Sequence, residues 1–192
     1  MKKGILAFSV LLLYSCSLKP HPELKQFAID ENIRQQRIIT KEIKVKVESV
    51  SCPEVFKDLF IYRVKDGVIY NTFSSASWVS SECSMFENAL KKALLKSGFD
   101  VVEYGNYRYK LLFSLDKFNE NQNNKTASVC SDFWLKDAKT KDTLLTFNVC
   151  KSKKLENTSV NTVVKKLNKL THLVIKDTLE KLISYFKKQK GS

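Results

Sequence analysis

The sequence is poor in the residues that build most catalytic and nucleotide-binding sites. Of its 192 residues, five are glycine, three are proline and two are histidine. Loops that cradle phosphates need closely spaced glycines, and no such spacing occurs. His21 and His172 lie far apart, outside any metal-ligand or nucleophile motif, and the sequence contains no C-x-x-C pair. We therefore predict a protein that is not an enzyme and has no metal site and no cofactor.

A single long apolar run is present, and it lies at the N-terminus. Lys2 and Lys3 precede the uncharged segment 4–14, after which the chain turns polar. This segment is too short to span a bilayer, which takes about 20 helical residues, and it is typical of the apolar region of a signal peptide. Leu13-Tyr14-Ser15-Cys16 resembles the bacterial lipobox, with an aliphatic residue at −3, a small residue at −1 and cysteine at +1. In that chemistry a diacylglyceryl group is attached to the thiol, and a peptidase then cuts before the cysteine.

These features predict three segments. Residues 1–15 form a cleaved signal peptide, residues 16–22 a tether lipidated at Cys16, and residues 23–192 a single domain. Two or three acyl chains on one cysteine give stable membrane attachment, whereas one chain binds marginally. Ser17 follows the cysteine, and a residue other than Asp at that position favours the outer membrane in enteric-type sorting. The alternative is an ordinary secretory signal whose cysteine is incidental.

Acidic residues are few relative to basic ones. The formal charge is +13, and loss of Lys2 and Lys3 with the signal peptide leaves +13 − 2 = +11. One interpretation is a solvated, lysine-rich surface. The other is attraction to anionic lipid headgroups or to an acidic partner. Nucleic acid is not expected as a partner, because export separates the protein from it.

Hydrophobic periodicity predicts a strand-rich chain with two helices. Alternation over 43–49 indicates a half-buried strand, and a shorter strand fits 23–29. Segments 59–64 and 68–73 flank Asp66-Gly67, which is typical of a hairpin. A first helix is predicted to begin after Ser80 or Ser81 and to end at Gly98, followed by a strand at 99–103.

Three longer strands and a long helix complete the pattern. Apolar faces recur over 107–115, 127–135 and 145–149, separated by a polar loop at 119–125 and a turn at 137–142. One apolar stripe runs from about 159 to 187 at helical spacing. The fold class predicted is α+β, with an antiparallel sheet and a short and a long helix packed on one face.

Four cysteines remain after Cys16. An even number in an exported protein favours disulfides. Cys130 and Cys150 lie nearly opposite each other on neighbouring strands, which permits a bridge between strands, and Cys52 and Cys83 would form the other pair. Three connectivities are open, and buried free thiols are the competing interpretation.

From Phe60 onward the chain resembles the ABC-type transport auxiliary lipoproteins, which work beside mammalian-cell-entry (MCE) domain proteins. The resemblance covers about two-thirds of the chain. Its residues are Ile61-Tyr62-Arg63, Tyr70, Trp78, the helix with Phe86, Leu90 and Leu94, Ser97-Gly98-Phe99, Tyr109-Lys110-Leu111 and Asp116-Lys117-Phe118. The sequence departs from the family at Val79-Ser80-Ser81, where a proline usually follows the tryptophan.

The resemblance implies a non-enzymatic part in moving phospholipid or similar molecules between membranes. The protein would be anchored in the outer membrane, face the periplasm and dock on an MCE assembly fed by an ABC transporter. The resemblance is also compatible with assembly as a homo-oligomer. Tyr62, Arg63, Tyr70 and Trp78 would be docking or packing anchors. The alternatives are a lipid or lipopolysaccharide chaperone with an acyl-chain cavity, and a structural outer-membrane lipoprotein.

Overall fold

The structure, a computed structural model, describes residues 24–30 and 42–189. The predicted signal peptide, Cys16, the tether and most of the predicted connection at 30–40 lie outside the described residues. The elements within them, in chain order, are β1 (Lys25–Phe27), β2 (Lys44–Ser51), β3 (Phe60–Lys65), β4 (Val68–Trp78), α1 (Glu82–Ser97), β5 (Asp100–Val101), β6 (Tyr109–Asn121), β7 (Thr126–Asp137), β8 (Thr143–Lys154) and α2 (Val160–Lys188).

The strands form one sheet that forks at β6. One edge of β6 pairs antiparallel with β7, which pairs in turn with β8. Two strands share its other edge. Strand β2 pairs parallel with the first half of β6 and, on its own far edge, with β5, while β3 pairs parallel with the end of β6. Beyond β3 come β4, antiparallel to it, and β1, parallel to β4. The sheet is therefore branched, with β6 as its central strand.

The α+β class is confirmed, but the sheet is mixed rather than antiparallel throughout. Antiparallel pairing holds for β3–β4, β6–β7 and β7–β8. The other four pairs are parallel because long segments of chain, in three cases including α1, separate the partners and let the later strand enter in the same direction. Alternation of apolar residues marks a half-buried strand whichever direction its neighbour takes, so the pattern did not reveal this.

Both helices contribute to one core on one side of the sheet. Phe86 of α1 lies 5.3 Å from Phe113 and 6.4 Å from Phe133, measured between ring centroids. Helix α2 is about 44 Å long at 1.5 Å per residue, and it packs on β7 and β8 and against α1. Near its C-terminal end, Phe186 meets Phe99 and Tyr109. The interior is thus filled by side chains from the sheet and both helices.

The local signals predicted for the first helix and the hairpin are present. Ser81 caps α1 by accepting a hydrogen bond from the Ser84 backbone N–H, and Gly98 ends the helix with φ +97°. Asp66 and Gly67 have φ of +52° and +76°, the left-handed values that a tight two-residue hairpin turn requires.

The polar loop predicted at 119–125 is shorter in the structure. Strand β6 continues to Asn121, and the register with β7 shifts between Leu115 and Lys117. After this irregularity Phe118 and Glu120 face the core, opposite Val129 and Ala127. A local bulge of this kind changes which residues point inward, which a strict alternation cannot anticipate.

Two disulfides form among the described residues. Cys130 and Cys150 are directly opposite each other on β7 and β8 and are bonded. Cys52, which follows β2, is bonded to Cys83 in the first turn of α1. This second bridge ties the β2 branch of the sheet to the start of the first helix.

The segment after β1 closes the fold onto α2. The Asn168 side chain donates to the Ala28 carbonyl oxygen at 3.1 Å and accepts from the Asp30 backbone N–H at 2.9 Å. His172 Nε2 lies within hydrogen-bond distance of the Asp30 carbonyl oxygen. His172, which is half-buried on α2, therefore contacts the segment that follows β1.

Candidate functional site

Two of the four predicted anchor residues, Tyr62 and Trp78, meet where β3, β4 and the start of α1 come together. Trp78 is fully buried, and its ring packs edge-on against Phe118 with centroids 5.5 Å apart. Tyr62 is 7% exposed. Tyr70 lies on β4, and its side chain is outside what the structure describes. Tyr62 and Trp78 therefore shape the surface from beneath rather than forming it.

A carboxylic acid is buried beside Trp78. Glu82, the first residue of α1, is fully buried, and neither of its carboxyl oxygens has a hydrogen-bond partner among the described residues. Burial raises the pKa of Glu82 to about 9; the nearby N–H groups of its own backbone and of Trp78 offset part of this, and the charge of Asp58 adds to it. Glu82 is thus protonated at neutral pH. The helix N-terminus, which favours negative charge, is too weak to reverse this effect.

The Tyr62 hydroxyl is linked to the same cluster. It donates to Asp58 Oδ2 at 3.0 Å. Burial, followed by this hydrogen bond, raises the pKa of Tyr62 to about 12. The tyrosine therefore stays neutral and holds the loop before β3 in place.

Arg63 forms a buried ion pair with Glu120. Its Nε lies 2.8 Å from Glu120 Oε2, and the side chains are 18% and 0% exposed. The guanidinium also lies over the ring of Phe73, 4.6 Å from the centroid. The pair joins β3 to the inner face of β6, so its position favours a structural role.

An exposed apolar patch lies next to this cluster. Leu59, Phe60 and Val79, which we call the docking patch, are 43%, 51% and 51% exposed. The Trp78 backbone N–H donates to the Leu59 carbonyl oxygen at 2.7 Å, and Phe60 is directly opposite Ser77. The three apolar residues thus lie next to one another on paired backbone above the buried cluster. Adjacent exposed apolar side chains mark interaction surfaces, whereas single scattered ones do not.

A separate cleft of about 570 Å³ opens at the far end of the domain. It lies between the start of β2, the loop before β6 and the end of α2, and it is lined in part by Lys44, Tyr107, Arg108, Tyr109 and Phe186. Its walls mix charged and aromatic groups and it opens to solvent. It is a surface cleft rather than an enclosed apolar chamber.

Two carboxylates meet on the sheet face that the helices leave uncovered. Burial, followed by the neighbouring Asp132, raises the pKa of Asp116, and Asn148 donates to Asp132 Oδ1 at 2.8 Å.

Across residues 24–30 and 42–189, no group of three or more His, Cys, Asp or Glu side chains is placed to hold a metal ion. No helix in this part of the chain is both long and apolar enough to cross a membrane.

Sequence reasoning missed the burial of Glu82 and Glu120. Glu82 follows a capping serine and has the pattern of an ordinary acidic residue in a first helical turn, so no local signal marks it. Glu120 lies two residues after Phe118 on β6, so the two side chains share one face of the strand. This spacing is the one signal that could have placed Glu120 on the inner face.

No protein-family model matches this sequence, and no curated protein matches it. Its fold is similar to solved structures. Protein XCC0632 from Xanthomonas campestris, of family-model DUF330, superposes with a TM-score of 0.75 at 12% identity, over 88% of this chain and 100% of that one. An uncharacterized protein gives 0.65 at 13% identity, over 83% and 99% of the two chains. Hypothetical protein CT253 from Chlamydia trachomatis gives 0.51 at 9% identity, over 76% and 98%. At these identities the likeness establishes the fold alone.

Proposed function

We propose that this chain is a lipoprotein, acylated at Cys16, that serves as a non-enzymatic component of an MCE and ABC-type intermembrane lipid transport system. It is anchored in the outer membrane, faces the periplasm through the tether at 16–22, and docks on the MCE assembly with its folded domain. It needs no cofactor besides the covalent lipid. The docking patch is the observation that carries the proposal.

The filled interior favours a docking component over a chaperone that stores an acyl chain. Phe86, Phe113, Phe133 and Leu167 occupy the space between sheet and helices, each less than 2% exposed. Room for an acyl chain would have to come from displacing these side chains, and interiors packed in this way resist it. Lipid would therefore pass through the assembly rather than through this domain.

The docking patch suits a protein partner. Three apolar side chains on neighbouring backbone positions, held from below by Tyr62 and Trp78, form a preorganised contact that loses little entropy on binding. Asp58 and the ion pair between Lys57 and Glu54 border it with polar groups, which fits the apolar centre and polar rim of protein interfaces.

The lipid anchor is tested by the mass of the mature N-terminal peptide and by fractionation. We expect acyl chains on Cys16 and recovery in the membrane fraction, and Cys16→Ser to prevent acylation and processing. Cys16→Ser keeps the four other cysteines, so disulfide formation serves as the folding control. An unmodified mature N-terminus would refute the lipoprotein assignment.

Docking is tested by site-specific photocrosslinking in intact cells. A photoreactive phenylalanine at Phe60 should capture an MCE-domain protein, and the same residue at Leu95, 52% exposed on α1, is the matched control. Capture of porin or cell-wall components alone from Phe60 would support the structural lipoprotein instead. Stoichiometric lipid retained by the purified protein would support the chaperone. Assembly as a homo-oligomer stays a prediction that light scattering of the acylated protein checks.

A further inference from the structure

The tip of the β3–β4 hairpin exposes two large apolar side chains. Val68 is 66% exposed and Ile69 44%. The turn that precedes them is held firmly, because the Asp66 backbone N–H donates to Asn123 Oδ1 in the β6–β7 turn at 3.3 Å. These exposed side chains are therefore carried on a braced turn rather than a loose loop.

Basic residues surround this tip. The β6–β7 turn and the end of β8 lie at the same end of the sheet, joined by a hydrogen bond from the Leu155 backbone N–H to the Lys125 carbonyl oxygen. Two acidic residues accompany four lysines there, a local balance of 4 − 2 = +2. The lysines are Lys65, Lys125, Lys153 and Lys154, and the acidic residues are Asp66 and Glu156.

The direction of β1 places the N-terminal side of the described chain toward this tip. Lys25 is the partner of Ala76, and β1 and β4 are parallel, so Leu24 lies level with Ser75. Strand β4 starts at the hairpin turn and runs away from it, and β1 runs in the same direction. The N-terminal end of β1 therefore faces the hairpin turn. From Cys16 to Leu24 there are 24 − 16 = 8 residue steps, which reach at most about 29 Å.

The hairpin tip lies within that reach. From Ser75 back to Val68 there are 75 − 68 = 7 residue steps along β4, or about 23 Å. A lipid on Cys16 and the apolar side chains of the tip can therefore meet one membrane surface.

We propose that the hairpin tip, Lys65–Ile69, contacts the anionic phospholipid surface to which the chain is anchored. This rests on the proposed acylation of Cys16. Val68 and Ile69 enter the interface between headgroups, and the lysines around them face phosphate groups. The combination of a small apolar insertion with clustered cations is the one that membrane interfaces attract.

The contact would orient the domain. The docking patch lies at the other end of the β3–β4 hairpin, because Phe60 is opposite Ser77 while the turn is at Asp66-Gly67. With the tip on the membrane, the patch is raised by about five strand residues, or about 17 Å, above the lipid surface. A protein partner in the aqueous space could then reach it.

The test uses the acylated full-length protein in vesicles that contain phosphatidylglycerol and lipids brominated on their acyl chains. Ile69→Trp places an indole at the tip. Val50→Trp is the matched control, since Val50 is 56% exposed on β2 but lies far from the hairpin tip. The neighbouring Ser51 pairs with Ser114, which is seven residues before Asn121 at the tip end of β6. Trp78 and Trp134 are common to all samples, and the parent protein supplies their signal for subtraction.

We expect the indole at position 69 to be quenched and its emission to shift to shorter wavelength, and the indole at position 50 to show neither change. Replacing Lys125, Lys153 and Lys154 with Gln, or raising the salt to shorten the Debye length from about 30 Å at 0.01 M to 3 Å at 1 M, should reduce the quenching. Neutral vesicles should reduce it in the same way.

Equal quenching at both positions would mean that the domain tumbles on its tether, and no quenching at either would mean that the domain stands clear of the membrane. Each result overturns the inference while leaving the anchor intact, provided that mass spectrometry of the same sample finds the lipid on Cys16. Absence of that lipid refutes the proposed anchor itself and the inference with it.

Discussion

The buried carboxyl of Glu82 makes a quantitative prediction about stability. Its ordinary pKa is 4.5, and burial raises it to about 9 in the folded protein. Between these values the folded chain holds a proton that the unfolded chain has released, so the contribution of Glu82 to stability is greatest below about pH 4.5 and falls as pH rises toward 9. The expected slope is about 1.4 kcal/mol per pH unit.

At pH 7 the accumulated loss is considerable. The interval above the unfolded pKa is 7 − 4.5 = 2.5 units, which lowers the free energy of unfolding by about 3 kcal/mol relative to a residue that does not ionise. Glu82→Gln keeps the shape and removes the ionisation. We therefore expect the variant to gain stability relative to the parent by about 1.4 kcal/mol for each unit from pH 5.5 to 8.5.

The assay is urea unfolding of the oxidised protein at several pH values, followed by circular dichroism. The deciding quantity is the difference in the free energy of unfolding between parent and variant as a function of pH. The contributions of the other titrating groups cancel in this difference. Glu180→Gln is the control, since that side chain is 64% exposed on α2. Parallel pH profiles for the parent and Glu82→Gln would refute the reasoning.

Two further predictions concern what holds the domain together. Arg63→Met should lower the free energy of unfolding by about 3 kcal/mol, because it leaves the buried charge of Glu120 unpaired, and adding Glu120→Leu should restore most of the loss. Lys176→Met, which removes an exposed pair, should change it by less than about 1 kcal/mol in the same urea titration; an equal loss in both single variants would contradict this account. Replacing Cys52 and Cys83 together with Ser should cost about 3 to 4 kcal/mol, since their bridge closes a separation of 31 residues. An unchanged melting temperature after this replacement would show that the bridge does not constrain the unfolded chain.

Much of the fold could be predicted from local patterns. The Asp66-Gly67 turn, the Ser81 cap and the Gly98 terminus lie where the sequence indicates, because each depends on the conformational preference of a few adjacent residues. The stripe of α2 was equally clear, since burial of one helical face repeats over many turns.

The candidate site was less predictable. Trp78 and Tyr62 were identified through a family resemblance, and the structure adds that both are buried beneath exposed neighbours. The docking patch joins Phe60, the first residue of β3, to Val79, which follows the last residue of β4, and such a surface exists only once those strands pair.

What the sequence by itself determined is the class of element along the chain, the four cysteines after Cys16 that are available to pair, and the lipobox-like motif at Cys16. These depend on local composition, spacing and chain chemistry. Tertiary structure alone decided the forked sheet, the parallel pairs and the burial of Glu82 and Glu120. The physical reason is that strand partners, register shifts and desolvation of a carboxyl group all arise from residues distant in sequence, and no local pattern records them.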